Sequence, residues 1–289
     1  MSSIDYSAHI LNLRAEYMRQ KKEQLRVVVQ NAALKKVITP DVVEAYAAVH
    51  LTDETGNPIV AARHHKLWLE FICNLDIPRL LILSPYGSAK TVWAIKAYVG
   101  CYVGFFPERT TTIVCNSSST ADKRSMGLRS GVLSHEFRTT FPDLKPDPAL
   151  PFVQNQWSLM RSGKPIANRI DPTLMAFGVD GGIIGSRSDL TVCDDILDRG
   201  NSNTAHLRQQ IEQTMSSTVL SRLKRKTGRV IMIGTSWKVD DYYDAAKRAG
   251  GWVVVHTPLL SDTDEFWATA TYPDGYQART LGTPIGEAF

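Results

Sequence analysis

From residue 79 onward, short unbroken apolar runs take turns with longer segments in which apolar residues recur at helical spacing. Leu80-Leu81-Ile82-Leu83 is such a run, as expected of a strand buried on both faces. Thr110-Thr111-Thr112-Ile113-Val114-Cys115 is β-branched and reads as the next strand. Asp189-Leu190-Thr191-Val192-Cys193-Asp194 reads as another buried strand, ending in acid. Residues 157–161, 174–179, 229–234 and 252–256 complete the predicted strands, and 90–103, 120–137, 204–224 and 240–249 read as helices. Pro146, Pro148 and Pro151 make residues 143–151 a loop or a crossover. Strands separated by helices predict an α/β fold, a parallel sheet sandwiched by helices.

Upstream the pattern differs. Ile10, Leu11, Leu13, Tyr17 and Leu25 fall among Arg14, Arg19, Lys21, Lys22 and Lys36, which predicts a helix with a basic face, ended or restarted at Pro40. It reads either as a solvated helix packed on the main domain or as an arm for a partner. A turn follows at residues 53–58, then a short amphipathic helix at 64–72 stopped by Pro78. The expected organisation is an N-terminal helical extension (1–60), an α/β domain (61–260) and a connecting segment (261–289).

With 289 residues, 43% hydrophobic and 21% charged, the chain has ordinary globular composition. It contains no uncharged apolar run of the roughly 18 residues that a membrane span needs. The N-terminus has no basic segment followed by an apolar one, so no secretory signal is read there. A net charge of +4 permits contact with phosphate backbones without demonstrating it. Cys73, Cys101, Cys115 and Cys193 form no C-x-x-C pair, so no zinc site is expected and a reduced, cytosolic setting is the natural reading.

The most informative segment follows the first strand: Ser84-Pro85-Tyr86-Gly87-Ser88-Ala89-Lys90-Thr91, leading into a helix. Strand, small-residue loop, Lys-Thr and helix is the layout of the phosphate-binding loop G-x-x-x-x-G-K-[ST]. Backbone N–H groups of such a loop converge on phosphates, the lysine reaches the β and γ phosphates, and the hydroxyl of Thr91 would hold Mg²⁺. Ser84 and Ala89 stand where the two glycines belong. Alanine costs little there if its φ is negative and is strained if φ is positive. An ordinary strand-to-helix turn is the competing reading.

Asp194-Asp195, at the end of its own apolar strand, supplies the carboxylates such a loop needs. Asp194 would orient Mg²⁺ and Asp195 would polarise the attacking water. A helix cap at a strand end is the alternative. Gly234-Thr235-Ser236 closes a third strand, where a hydroxyl can sense the γ-phosphate, or where the strand merely becomes loop.

Taken in order, these segments resemble the ATPase domain of the large terminase subunit, the DNA-packaging motor of tailed bacteriophages. His64-His65-Lys66-Leu67-Trp68 is similar to its H-x-x-W segment, and Phe141-Pro142-Asp143 to its F-P-D stretch. Residues 181–195, Gly181 through Asp195, resemble its G-x-x-G-x-R-x-D-L run into the acid pair, and Gly234-Thr235-Ser236-Trp237 followed by Asp240-Asp241 its coupling motif. Ser236 replaces the usual arginine, and coverage is about residues 60–289.

The resemblance implies an additional-strand (ASCE), RecA-like P-loop NTPase with Walker A and Walker B motifs. It implies a motor that hydrolyses Mg·ATP to translocate double-stranded DNA. Its expected setting is a homomeric ring, commonly a pentamer, docked on the portal protein of a capsid in the host cytoplasm with a small terminase subunit. In that scheme a monomer is the expected form of the isolated chain. In it Lys90, Asp195 and Arg187 are catalytic, and residues 84–91 with His65 and Trp68 bind nucleotide. Thr91 and Asp194 hold Mg²⁺, and Gly234, Thr235 and Ser236 couple hydrolysis to movement. Arg187 is the first candidate for an arginine finger, with Arg124 and Arg129 as alternatives and Ile184 where some relatives carry the arginine. Such subunits usually add a nuclease domain. Asp262, Asp264, Glu265, Asp274 and Glu287 lie in a stretch with no βαβ pattern, so the expectation is a shortened or split chain that does not cut DNA.

Two other classes remain open: a helicase-like ATPase acting on nucleic acid, and a nucleotide-binding module without turnover. A two-core helicase needs a second core that 289 residues do not accommodate. The DNA expectation rests on residues 222–226 (Arg222, Lys224, Arg225, Lys226), which equally complement a helix dipole.

Overall fold

The computed structural model describes residues 3–164, 171–181, 186–258, 266–275 and 277–282. Its centre is a nine-stranded sheet in the order β11-β10-β9-β1-β8-β7-β2-β6-β4. Six strands run parallel: β9 (Val253–His256), β1 (Arg79–Leu83), β8 (Arg229–Gly234), β7 (Leu190–Asp194), β2 (Thr111–Cys115) and β6 (Leu174–Gly178). One edge carries the antiparallel β4 (Gln156–Trp157). The other carries the antiparallel hairpin β10 (Phe266–Thr271) and β11 (Gln277–Gly282), joined to β9. The sheet thus takes strands from both sides of residue 260.

The continuous apolar runs are explained by helices on both faces. Leu80, Ile82, Ile113, Val192, Ile231 and Ile233 point into one core cluster. Their neighbours Leu81, Leu83, Val114, Cys193, Val230 and Met232 point into the other. Successive strand residues face opposite sides, so both phases of the period must be apolar. The first core also takes Trp68, Trp93 and Tyr98, and the second Tyr243, Ile211 and Trp252. All four cysteines are buried and free.

Helix starts follow side-chain caps. Thr39 Oγ1 accepts from the Val42 amide ahead of α2 (Pro40–His50), whose proline occupies the first turn, where no N–H is needed. α3 spans Arg63–Cys73. Ser117 caps α5 (Ser118–Leu133), and Thr204 caps α7 (Ala205–Thr214). Asp241 caps α8 (Tyr242–Ala249), accepting from the Tyr243 and Asp244 amides at 2.9 and 3.2 Å.

The helix expected over 90–103 begins as a π-helical segment, Val92–Val99, and runs into α4 (Gly100–Phe105). The helix expected over 120–137 is two. Ser134 takes an extended ψ of 156°, ends α5 and caps α6 (His135–Thr140) by accepting from the Phe137 amide. The helix expected over 204–224 passes from α7 into a π-helical turn, Met215–Val219, and a 3₁₀ turn, Leu220–Arg222. Within the expected loop at 143–151, β3 (Leu144–Pro146) pairs with β5 (Leu159–Arg161), so residues 157–161 divide between two sheets.

The basic N-terminal helix is α1 (Ser3–Lys35). Its C-terminal half is packed on the α/β body. Val29 is fully buried, and Glu136 of α6 takes ion pairs from Lys22 (2.6 Å) and Arg26. The residues around Leu13, Tyr17 and Met18 are exposed. The whole is a mostly parallel sheet flanked by helices, with a helical extension and with β8 inserted between β1 and β7, a layout consistent with RecA-like architecture of the additional-strand type. Among the described residues no helix is long and apolar enough to cross a membrane.

Candidate nucleotide site

Three parallel strands, β1, β8 and β7, end side by side, with Leu83 level with Gly234 and Asp194 level with Ile233. Parallel α/β sheets bind ligands at this carboxyl edge, where strands stop and helix N-termini begin. The loop after β1 occupies that edge. Gly87 has φ +82°, a conformation glycine adopts freely. Ala89 has φ +55°, the left-handed region, which costs a residue with a Cβ about 1–2 kcal/mol.

The loop is held by its own hydroxyls and by a histidine. Ser84 Oγ donates to Ser88 Oγ at 2.8 Å, and Ser88 Oγ to the Pro85 carbonyl at 2.8 Å. His65 Nδ1 accepts from the Ala62 amide at 3.1 Å, so its proton sits on Nε2, which donates to the Ser88 carbonyl at 3.0 Å. Its ring stacks on Trp93 with centroids 5.1 Å apart. Burial, with the neighbouring His64, lowers its pKa to about 3. His65 is therefore a neutral brace behind the loop. Trp68 is 1% exposed and sets its edge against His64 and His65, inside the core. Tyr86, at the loop tip, is 92% exposed.

Lys90 is buried. Its Nζ donates to the Ser84 and Pro85 carbonyls at 3.2 and 2.7 Å and to Thr235 Oγ1 at 3.0 Å. Thr235 in turn donates to the Ser84 carbonyl at 3.0 Å, tying the end of β8 to the start of the loop. Burial depresses the Lys90 pKa, with Asp195 and Asp194 pulling the other way. Thr91 Oγ1 lies 3.1 and 3.0 Å from the two oxygens of Asp194, a carboxylate with no exposure at all. Arg124, on α5, donates from Nε to Asp194 Oδ2 at 2.8 Å and from Nη2 to Thr91 Oγ1 at 3.4 Å.

Asp195 leaves the strand at φ +45°, its amide bonded to the Ile233 carbonyl at 3.0 Å. Burial raises its carboxyl pKa against the pull of Lys90, and Asp194 adds to the rise. The fold thus brings Ser84 through Thr91, His65, Asp194, Asp195 and Thr235 to one edge. Ser236 follows Thr235 and is exposed. Beneath Gly234 lies the Tyr243 hydroxyl, 2.0 Å from where a Cβ would stand.

The other arginines lie elsewhere. Arg187 is exposed and its amide donates to Asp171 at 3.5 Å. Arg129 reaches the Phe152 carbonyl at 3.3 Å and covers that residue's ring. Ile184 falls outside the described residues, as do Asp262, Asp264, Glu265 and Glu287. Arg225 and Lys226 are exposed at the mouth of a cavity of about 320 Å³ at the opposite, amino edge of the sheet. Lys224 there is paired with the buried Asp189 at 2.7 Å.

No family model matches the chain, and no curated protein matches it. Among solved structures, it is similar to the crystal structure of the HK97 bacteriophage large terminase. The TM-score is 0.51 and the identity 15%, over 78% of this chain and 46% of that one. The fold resembles that of a bacteriophage large terminase. The chain spans less than half of the terminase it matches, and at this identity the likeness concerns the fold alone.

Proposed function

We propose that the chain is a Mg·ATP-hydrolysing P-loop ATPase of the additional-strand type, working as the motor portion of a large terminase. The observation that carries the reading is Lys90, buried at the carboxyl edge of the sheet on a strand–loop–helix turn, with Thr91 bonded to Asp194 on the strand two places away. A lysine held only by neutral oxygens exchanges them readily for phosphate oxygens, to which its bonds are charge-assisted.

The donor set fits Mg²⁺. Thr91 and Asp194 offer a hydroxyl and a carboxylate, hard oxygen ligands of the kind Mg²⁺ takes. Mg²⁺ commonly takes one or two protein oxygens and completes its shell with substrate phosphates and water. Bound there, the ion would neutralise phosphate charge. Lys90 orients and neutralises the β and γ phosphates, and the loop amides cradle them. Asp195 orients the water for attack and accepts its proton, a role its raised pKa suits. Thr235, bonded to both Lys90 and the loop, carries loss of the γ-phosphate into β8.

Double-stranded DNA, a portal, a small subunit and a ring of copies belong to the same reading and are supported by the fold likeness and the exposed basic residues 225 and 226. Exposed Arg187 suits a finger offered to a neighbouring copy. A second reading, nucleotide binding without turnover, is favoured by one observation, the strained Ala89 in place of glycine.

Phosphate release from Mg·ATP, with Lys90→Ala as blank, tests the first reading. Asp195→Asn is expected to lower turnover by at least about a hundredfold while sparing nucleotide binding, the scale of a lost general base. Turnover that survives that change removes the role given to Asp195. Binding without turnover in the unaltered chain, at every protein concentration, favours the second reading.

A further inference from the structure

A carboxylate with zero exposure needs a cation or a full set of hydrogen bonds, because an unpaired buried charge is costly. Lys90 does not supply it to Asp194, since its ammonium is turned to the Ser84 and Pro85 carbonyls and to Thr235. Arg124 does, through Nε at 2.8 Å, and its Nη2 reaches the Thr91 hydroxyl at 3.4 Å. One guanidinium therefore lies against both oxygen donors that the proposed function gives to Mg²⁺. It stands on their outer side, with the Arg124 side chain 32% exposed. The helix beneath it is anchored, since Asp180 accepts from the Ser118 amide at 3.0 Å and its hydroxyl at 3.1 Å. Release then needs only side-chain rotation.

We propose that Arg124 is an internal counter-cation for the Thr91–Asp194 pair, displaced when a divalent cation arrives with nucleotide. The inference rests on the proposed Mg²⁺ role of those two residues. Guanidinium and Mg²⁺ would take the same Asp194 and Thr91 oxygens, and their like charges repel, so the two compete for the pair. In the nucleotide-free chain the arginine keeps the carboxylate paired and keeps stray divalent ions out. Phosphates bring the extra ligands that tip the exchange.

The test is Mn²⁺ binding to the nucleotide-free protein, read by electron paramagnetic resonance, for wild type and Arg124→Gln. Removing the competitor is expected to tighten Mn²⁺ binding by about tenfold or more, with Mg²⁺ competing. Adding Asp194→Asn is expected to abolish the gain. Equal affinity in wild type and Arg124→Gln, or a gain that survives Asp194→Asn, overturns the proposal. Should Arg124→Gln not fold, the wild type answers by NMR. The Arg124 Nε–H signal, protected from water while bonded, is expected to lose protection on adding Mg²⁺ and ADP, and persistence overturns the proposal. Calorimetry with Mg·ADP separates the two levels. If wild type and Lys90→Ala alike fail to bind it, the ATPase reading and this inference both fall. If wild type binds it and Arg124→Gln leaves Mn²⁺ affinity unchanged, this inference alone falls.

Discussion

Ala89 and Gly234 show how single backbone positions set the site. Ala89 holds φ +55°, and the cost is that of a Cβ in the left-handed region. Ala89→Gly is expected to raise stability by up to about 1 kcal/mol, the αL penalty less glycine's greater unfolded-state entropy. Denaturant titration checks this, and a loss of stability would show that the alanine methyl makes a contact that outweighs its strain. Gly234 has the opposite constraint, space rather than angle. A Cβ there would meet the Tyr243 hydroxyl at 2.0 Å and its ring carbon at 2.3 Å. Gly234→Ala is expected to cost about 1–3 kcal/mol by overpacking. An unchanged unfolding midpoint would mean that α8 gives way easily.

At the scale of elements, α2 and α3 are joined to the body by two neutral histidines, His50 half-buried and His65 buried. His50, at the end of α2, stacks on Tyr46 at 4.2 Å, lies 3.1 Å from Thr140 Oγ1, and has its pKa lowered to about 3 chiefly by burial. His65 on α3 is lowered to about 3 for the same first reason. Both have a reference value of 6.5, so the unfolded chain binds their protons first as pH falls. Their contribution to stability is fully present above pH 6.5 and is lost progressively from there toward 3. The steepest loss is about 1.4 kcal/mol per pH unit for each histidine. Unfolding free energies measured between pH 7 and 4 are expected to show this decline, and His50→Phe to flatten it. A parallel decline in the variant would assign the effect to other groups.

At the scale of the molecule, the likeness to one terminase covers 78% of this chain, yet it speaks to architecture and not to assembly. If a neighbouring copy completes the site, phosphate release is expected to rise faster than linearly with protein concentration. Strict proportionality would place every catalytic group within one chain. If the exposed Arg225 and Lys226 meet DNA, affinity is expected to fall log-linearly with salt, and replacing both by Ala to reduce the slope by about 2. A slope unaltered by those changes moves the contact elsewhere, α1 being the next basic element.

Much of this was legible in the sequence because it is local. Both phases of Leu80-Leu81-Ile82-Leu83 are apolar, which already requires cover on two faces, and the alternation of such runs with helical segments implies parallel strands. Lys90 and Thr91 follow β1 across the short loop 84–89, so their place at its carboxyl edge comes with the motif, and Asp194 ends β7 with Asp195 just beyond it. Helix interruptions were less legible. Ser134 could equally sit inside a helix, and its capping role depends on where the chain turns.

Other features had no local signal. Nothing in spacing tells which strands are neighbours, because hydrogen-bonded order depends on crossovers; β8 comes between β1 and β7 although it follows both in sequence. Arg124 meets Asp194 across 70 residues, and reads in the sequence as one more cation on a helix. His65 becomes a brace for Ser88 only once α3 packs behind the loop. The hairpin β10–β11 joins the sheet through β9, a pairing decided by a free strand edge rather than by composition. The sequence alone determined the central parallel strands and the main helical segments, since periodicity and short-range sterics act within a few residues. The tertiary structure alone decided which of those ends face one another, since burial and counter-charge are properties of the assembled neighbours.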